Sequence, residues 1–230
     1  MMNLKNSNNN VQNNIYIIDK PIHWTSMDII RKMRGILKIK KIGHAGTLDP
    51  LATGVLIVCT GAMTKQINTF MDMPKEYTAE INLTAFSITD DAEGELQVVK
   101  PNRIPTQEEI IATLQKFVGS IIQVPPIYSA IKINGQRAYK KARRHEKFKM
   151  PERNVTIHNI KLVTYTWPTL TINVSCSKGT YIRSLARDIG TALHTGGYLT
   201  QLTRTAIGPY TLHKAISITK LQALQEEQVV

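Results

Sequence analysis

The apolar residues of this chain follow two periods, one typical of strands and one of helices, and the two do not alternate regularly. Apolar side chains at every second position predict strands over 77–83, 155–157 and 170–176. Spacings of three and four residues predict helices after Ser26, over about 106–118 and over about 180–194. A doubly wound parallel sheet requires strands and helices that alternate strictly along the chain. The pattern instead predicts an α+β fold, with a mixed, mostly antiparallel sheet flanked by helices.

Local signals mark where two of these helices begin. Ser26 can cap the first helix, and Thr106 with Glu109 forms a capping box for the second. Arg183 lies off the apolar stripe of the third helix, which is typical of a charge on a solvated face.

The charge of the chain favours a polyanionic partner. Its 230 residues carry 29 Lys and Arg against 17 Asp and Glu, a formal net charge of +12. A hydrophobic fraction of 42% and a charged fraction of 20% are typical of a globular protein rather than a disordered or fibrous one. A cationic excess of this size on a globular chain favours an anion such as a nucleic acid.

The sequence carries no signature of a disulfide scaffold, a metal site or a nucleotide cofactor. Its two cysteines, Cys59 and Cys176, are too few for a disulfide framework and suit a reducing compartment. The histidines are scattered, and neither C-x-x-C nor H-E-x-x-H spacing occurs. Walker and G-x-G-x-x-G motifs do not occur either. We therefore expect no metal and no cofactor.

Neither the apolar runs nor the N-terminus indicates a membrane or an export signal. The run Val55–Cys59 is far too short to span a bilayer, and the N-terminus lacks an apolar signal core. We expect a cytoplasmic protein. Residues 1–14, seven of them asparagine, can bury almost nothing and are predicted to form a disordered tail.

One stretch, 132–153, concentrates the positive charge, with nine cations against two acids and with three aromatic or imidazole rings interleaved. Such a basic, weakly amphipathic segment favours contact with RNA or DNA, and a solvated loop is the alternative. The candidate nucleic-acid contacts are Lys132, Arg137, Lys140, Lys141, Arg143, Arg144, Lys147 and Lys149.

A loop rich in glycine, residues 43–54, separates the first helix from an apolar strand over 55–59. Asp49 lies in it immediately before Pro50, which biases Asp49 toward an extended backbone and stiffens its presentation. Loops on a rigid scaffold often carry catalytic groups, but Asp-Pro is also an ordinary turn element. Both interpretations of Asp49 stay open on the residues alone.

Residues 43–56 read G-H-A-G-T-L-D-P-L-A-T-G-V-L, which resembles the signature of the bacterial tRNA pseudouridine-55 synthases, the TruB-type pseudouridine synthases. The resemblance extends in family order over roughly residues 15–220. It includes Asp19-Lys20-Pro21, Trp24-Thr25-Ser26, Lys75-Glu76-Tyr77, Asp90-Asp91-Ala92-Glu93-Gly94, the stretch 126–132, the stretch 176–183 and Leu202 through Gly208-Pro209.

The resemblance implies a pseudouridine synthase fold and an isomerase that acts on uridine 55 in the T loop of tRNA. Uracil leaves ribose C1′, rotates and rejoins through C5, without redox change, cofactor or metal. The family's catalytic carboxylate corresponds to Asp49, which attacks C1′ or removes a proton from the sugar. The choice between a covalent sugar ester and a glycal stays open. The segment at about 124–153 resembles the family's RNA-gripping insertion.

The resemblance also assigns the other site residues. Arg183 corresponds to the arginine that pairs with the catalytic aspartate, and Asp91 to the second acid of that network. Tyr77 corresponds to the residue that stacks on the flipped base. The remaining pocket residues are Tyr181, Leu202 and, beside the extruded nucleotide, His44. From the residues alone, Asp91 can also be an ordinary turn residue, and a place in the core is favoured for Tyr77, Tyr181 and Leu202.

The sequence departs from the family pattern at His23, where glycine is usual, at Ile88, which replaces an acid, and at Thr203, which replaces a cation. The chain ends at Val230, so we expect one catalytic domain over 15–225 without a separate C-terminal RNA-binding domain of the PUA type. The expected partner is the T arm of tRNA, bound by a monomer without an obligatory protein partner. The alternatives are a non-catalytic tRNA-folding chaperone and a guide-dependent rRNA pseudouridine synthase relative.

Overall fold

The computed structural model describes residues 13–227, which divide into two compact units. One unit comprises 13–76 and 203–227, and the other comprises 77–202. The strands are β1 (Ile15–Lys20), β2 (Ile42–Ala45), β3 (Ala52–Thr60), β4 (Lys75–Asn82), β5 (Ala85–Ser87), β6 (Leu96–Val98), β7 (Gly119–Gln123), β8 (Lys132–Ile133), β9 (Gln136–Arg137), β10 (Arg153–Thr166), β11 (Thr169–Cys176), β12 (Tyr198–Ile207) and β13 (Tyr210–Thr211). The α-helices are α1 (Ser26–Leu37), α2 (Ile67–Asp72), α3 (Gln107–Gln115), α4 (Ala138–Ala142), α5 (Ile182–Ala192) and α6 (Ile218–Glu226).

The first unit is organised around β3, which is buried on both faces. β3 pairs antiparallel with β1, so that Ile15 faces Cys59 and Lys20 faces Gly54, and it also pairs with β2. Because side chains alternate along a strand, Leu56 and Val58 pack against α1 and α6. Val55, Ile57 and Cys59 point the other way and pack against Phe70 of α2. Covering both faces of β3 gives its neighbouring loops a rigid base.

Helix α1 begins one residue earlier than the sequence predicted. Thr25, not Ser26, is the N-cap, and it forms a capping box with Asp28. The reason is that a cap needs extended backbone angles, which Thr25 has, with φ −76° and ψ 157°. Ser26 is instead the first helical residue, and its buried hydroxyl is used elsewhere in the unit.

The second unit has the strand order β4, β11, β10, β7, with α3 and α5 packed on its core. The pairings of β10 with β11 and with β7 are antiparallel. The capping box of Thr106 and Glu109 is present at the start of α3. Helix α3 ends at Gln115, three residues before the predicted end, because Phe117 and Val118 donate to carbonyls three residues back in a tighter turn. The predicted α+β class, with a mixed sheet and flanking helices, is confirmed.

The basic segment is more ordered than its weak apolar spacing suggested. It follows β7 and contains a hairpin of β8 and β9, joined by Asn134-Gly135 with φ of 51° and 81°. Two positive φ values in succession define a type I′ turn, for which Asn-Gly is the favoured dipeptide. Helix α4 follows, with Ala138 and Ala142 buried. The exposed cations are therefore carried on a folded scaffold.

Most of the predicted tail, residues 1–12, lies outside the described residues, whereas Asn13 and Asn14 are ordered, since each accepts or donates hydrogen bonds with residues 60–62. The single domain over 15–225 stays a prediction. No helix within 13–227 is long and apolar enough to cross a membrane.

Candidate active site

Asp49 lies in the loop between β2 and β3, and this loop is held from inside the first unit. The buried hydroxyl of Ser26 accepts a hydrogen bond from the Leu48 amide at 2.9 Å and donates to the Leu48 carbonyl at 3.1 Å. The amide of Ala52 donates to the Asp49 carbonyl at 3.1 Å. The backbone is thus held at Leu48 and at Asp49 itself, and Asp49 is half-buried.

Lys20 is fully buried beneath this loop. Its Nζ donates to the carbonyls of Trp24 at 2.6 Å, Pro21 at 2.8 Å and Pro50 at 3.5 Å. Burial lowers the pKa of Lys20 to about 8, against the opposing effect of the Asp49 carboxylate. The buried positive charge of Lys20 and the carboxylate of Asp49 attract each other.

Arg204 of β12 is the second buried cation behind the loop, with 2% of its surface exposed. Its Nε donates to the Val55 carbonyl at 2.7 Å, and its Nη2 donates to the Gly46 carbonyl at 3.2 Å. A longer contact of 3.5 Å joins Nη1 to the Thr47 carbonyl. One guanidinium therefore bridges the start of the Asp49 loop and the strand that follows it.

Gly54 allows the backbone of β12 at Arg204 to approach the backbone of β3 closely. Its φ is +96°, and a Cβ at this position would lie 2.3 Å from the backbone oxygen of Arg204. Both the left-handed backbone and the close approach require glycine.

His44 lies on β2, half-buried, beside Arg204. Burial and the Arg204 charge both lower the pKa of its imidazole. Its Nδ1 is buried and has no hydrogen-bond partner within residues 13–227. A neutral ring with one open nitrogen is suited to fill space beside a ligand rather than to bind a phosphate.

In the second unit, Arg183 and Asp91 form a buried ion pair, with Nη1 of Arg183 3.2 Å from Oδ2 of Asp91. The same guanidinium donates to the carbonyls of Thr89 at 3.0 Å and Tyr128 at 3.1 Å. Asp91 also accepts from the Thr89 hydroxyl at 2.5 Å. Arg183 is therefore not a surface charge, and Asp91 is not an exposed turn residue.

A second ion pair beside it was not predicted. Nη1 of Arg187 lies 2.7 Å from Oδ2 of Asp90, and Nη2 of Arg187 donates to the Val124 carbonyl at 2.9 Å. Burial raises the pKa of Asp90 to about 6, although Arg187 and Arg183 oppose the shift. Asp90 has a φ of +61°, which few side chains other than Asn and Asp adopt readily.

The three predicted pocket residues of the second unit are neither fully buried nor fully exposed. Tyr77 and Leu202 pack against the core of this unit and remain half-exposed. Tyr181 is the N-cap residue of α5 and is also half-exposed. Each ring or side chain can therefore offer one face to a ligand.

The predicted nucleic-acid contacts are almost all exposed. Lys141 is the exception, half-buried and 2.8 Å from Glu146. The guanidinium of Arg143 lies 5.6 Å from the centre of the Tyr139 ring. The exposed cations are Lys132, Arg137, Lys140, Arg143, Arg144, Lys147 and Lys149.

Sequence comparison places these features in a known family. Residues 34–182 match the family model described as TruB family pseudouridylate synthase (N terminal domain), and residues 183–229 match the model described as tRNA pseudouridylate synthase B C-terminal domain. The first match alone covers more than half of the chain. The chain belongs to the TruB family of pseudouridylate synthases.

Relatives of this TruB-family chain match it over nearly its whole length. It is 45% identical over 222 residues to tRNA pseudouridine synthase B of Parabacteroides distasonis, covering 94% of each chain. It is 42% identical over 216 residues to the protein of the same name in Flavobacterium johnsoniae, covering 91% of this chain and 94% of that one. With that of Streptomyces coelicolor it shares 43% identity over 217 residues, which cover 72% of that relative.

Solved structures agree on the fold of this TruB-family chain. A chain of a Cbf5-Nop10-Gar1 complex superposes with a TM-score of 0.75 at 28% identity over 96% of this chain. A chain of the archaeal box H/ACA sRNP Nop10-Cbf5 complex gives 0.72 at 25% identity. This chain spans 57% of the length of each. The predicted pseudouridine synthase fold is confirmed.

Two residues that hold the Asp49 loop of this TruB-family protein, Lys20 and Arg204, were not assigned from the sequence. The sequence did carry a signal for Arg204. It lies two residues before the buried Ala206 and therefore on the same face of β12, and a charge on the buried face of a strand is unusual. Within residues 13–227, no group of three His, Cys, Asp or Glu side chains could hold a metal ion.

Proposed function

We propose that this chain is an isomerase that converts uridine 55 in the T loop of tRNA to pseudouridine. The observation that carries the proposal is the near-complete match, at 42–45% identity, to relatives named tRNA pseudouridine synthase B. The geometry of the Asp49 loop supports it, because two buried cations and a buried serine hold an aspartate at a half-exposed position.

The proposed chemistry conserves atoms and needs one ionised carboxylate. The bond between N1 of uracil and C1′ of ribose breaks, the uracil rotates, and a bond forms between C5 and C1′. The proton at C5 is then lost and a proton is gained at N1. Asp49 either attacks C1′ or removes a sugar proton. Lys20 supplies a buried positive charge that attracts the carboxylate which both routes use.

Base flipping explains the remaining assignments. Extruding a nucleotide costs a few kcal/mol, and stacking on an aromatic ring returns about 1–3 kcal/mol. We assign the stacking to Tyr77, the walls of the pocket to Tyr181 and Leu202, and the space beside the extruded nucleotide to the neutral ring of His44. Arg183, with its partner Asp91, keeps the catalytic assignment that the resemblance gives it.

We assign the binding of tRNA to the basic segment, residues 132–153. Apart from Lys141 and Arg153, its cations are exposed, and Glu146 is the acid that pairs with Lys141 and Arg144. Guanidinium and ammonium groups on a folded hairpin and helix can neutralise phosphates of the T arm without first ordering the chain. A guide-dependent rRNA function is less well supported, because relatives named tRNA pseudouridine synthase B match at 42–45% identity, whereas the chains of the two Cbf5-containing complexes match at 25–28%.

The test is incubation of the purified chain with an unmodified tRNA transcript, followed by mapping of pseudouridine at single-nucleotide resolution. We expect one new pseudouridine, at position 55. The control is Asp49→Asn, a nearly isosteric change that should retain tRNA binding and lose the product. The proposal is wrong if the wild-type chain yields no pseudouridine, or if Asp49→Asn retains more than a few per cent of single-turnover activity.

A further inference from the structure

Tyr181 contacts two residues that lie at the two ends of the RNA-gripping insertion, where it leaves and rejoins the sheet. Gln123 is the last residue of β7 and Arg153 is the first residue of β10. The two are register partners in the antiparallel pairing of these strands. The insertion thus leaves the sheet after Gln123 and returns to it at Arg153, and both residues contact Tyr181.

Gln123 fixes the backbone of Tyr181. Its side chain is fully buried, and its Nε2 donates to the Tyr181 carbonyl at 3.0 Å. Its Oε1 accepts from the Tyr181 amide at 2.8 Å. One amide group therefore satisfies both backbone groups of the residue that precedes α5, where a helix leaves its first amides without internal partners.

Arg153 restrains the ring of Tyr181. The guanidinium carbon lies 5.6 Å from the ring centre, within the range of a cation–π interaction. Nη1 of the same guanidinium donates to the Gly179 carbonyl at 3.3 Å, which limits where the charge can move. Tyr181 is half-exposed, so its ring is not enclosed on all sides by the protein.

Further contacts tie the start of the insertion to the first turns of α5. The Val124 carbonyl accepts from the Ser184 hydroxyl at 2.8 Å and from Arg187 at 2.9 Å. The Tyr128 carbonyl accepts from Arg183 at 3.1 Å. The helix that presents Tyr181 and Arg183 is therefore bonded to the insertion at successive points.

We propose that Gln123 and Arg153 are positioning residues that hold Tyr181 at the angle needed to line the pocket for the flipped uracil. This inference rests on the proposed function. It means that the same two residues hold the ends of the RNA-gripping insertion and a wall of the pocket. A displacement of Gln123 or of Arg153 would move Tyr181, since Gln123 holds the backbone of Tyr181 and Arg153 holds its ring.

Arg153→Gln tests the proposal, because Arg153 is half-exposed whereas replacing the fully buried Gln123 risks unfolding. The matched control is Lys161→Gln, which removes one exposed cation from the same strand. Ring position is read directly by ¹⁹F NMR with 3-fluorotyrosine at position 181. Activity is read as the single-turnover rate at saturating tRNA.

We expect Arg153→Gln to shift or broaden the ¹⁹F signal and to lower the rate by about threefold to tenfold, the range of a cation–π contact. Lys161→Gln should change neither. If wild type is active but Arg153→Gln matches the control in signal or in rate, the positioning role is wrong and the proposed function stands. If wild type makes no pseudouridine, the proposed function fails and the catalytic role of these residues fails with it.

Discussion

Replacing Arg204 tests whether a buried guanidinium sets the position of the catalytic loop. Arg204→Met removes the hydrogen bonds to Val55 at 2.7 Å and Gly46 at 3.2 Å and leaves their carbonyls short of a donor. Hydrogen bonds from a charged donor contribute about 1.5–3 kcal/mol each, partly offset because the variant no longer buries a charge. We expect a loss of about 3 kcal/mol in the free energy of unfolding.

The two tryptophans of the chain make this loss measurable in the unit that contains Arg204. Trp24 packs in the core between β3, α1 and α6, and Trp167 packs in the other unit. In a Trp167→Phe background, the fluorescence of Trp24 reports urea unfolding of the first unit. With a urea dependence of about 3 kcal/mol per molar, the midpoint should fall by about 1 M.

Arg204→Lys separates the charge from its geometry. Lysine keeps the positive charge but cannot bridge two separated carbonyls with a planar fork. We expect a smaller loss of stability, and a rate at saturating tRNA reduced by about tenfold to a hundredfold, since small displacements of a catalytic group are costly. The stability control is Arg31→Met, whose pair with Asp28 is exposed to solvent and should contribute little to stability. A wild-type midpoint for Arg204→Met, or a wild-type rate for Arg204→Lys, would refute the reasoning.

Three further predictions follow from the charged groups. Arg183→Lys should turn over far more slowly than wild type despite its charge, because an ammonium lacks the planar fork with which Arg183 reaches Thr89 and Asp91 through Nη1 and Tyr128 through Nη2; a near-wild-type single-turnover rate would mean that only charge matters. The fourfold alanine variant at Lys140, Lys141, Arg143 and Arg144 should bind tRNA more weakly and flatten the log–log salt dependence of affinity by up to about one unit per lost phosphate contact. Unchanged affinity and slope in titrations at several salt concentrations would move the RNA surface elsewhere, for example to α1 with Arg31 and Arg34. Finally, because the folded pKa of Lys20 lies near 8, below its ordinary value of 10.5, the unfolded chain binds more protons between these values. Stability relative to Lys20→Met should therefore rise with pH through this window in urea titrations, and a flat or falling difference would contradict a lowered pKa.

Several elements could be predicted because their signals are local. The capping box of Thr106 and Glu109 and the alternation along β11 each involve residues a few positions apart. The hairpin of β8 and β9 carries an equally local signal in Asn134-Gly135, the dipeptide that a type I′ turn favours. The start of α1 was placed one residue late because Thr25 and Ser26 are both good caps, and only the backbone angles distinguish them.

The site was predictable only where a motif carried it. The stretch around Asp49 and the positions of Arg183 and Asp91 were visible through resemblance to a family, but the environment of each was not. Arg183 reads as a solvated charge from helical periodicity, and it is buried because Asp91, Thr89 and Tyr128 surround it. The period of a helix says which residues share a face, not what covers that face.

By itself, the sequence determined the α+β class and the capping box of α3, since short-range spacing encodes both. Only the tertiary structure showed that Arg204 bonds Gly46, 158 positions away, that Lys20 lies buried beneath Pro50, and that Gln123 and Arg153 hold Tyr181. The physical reason is that most of these partners are backbone carbonyls. Every residue carries one, so no pattern of side chains marks which carbonyl a distant cation or amide will reach until the chain has folded.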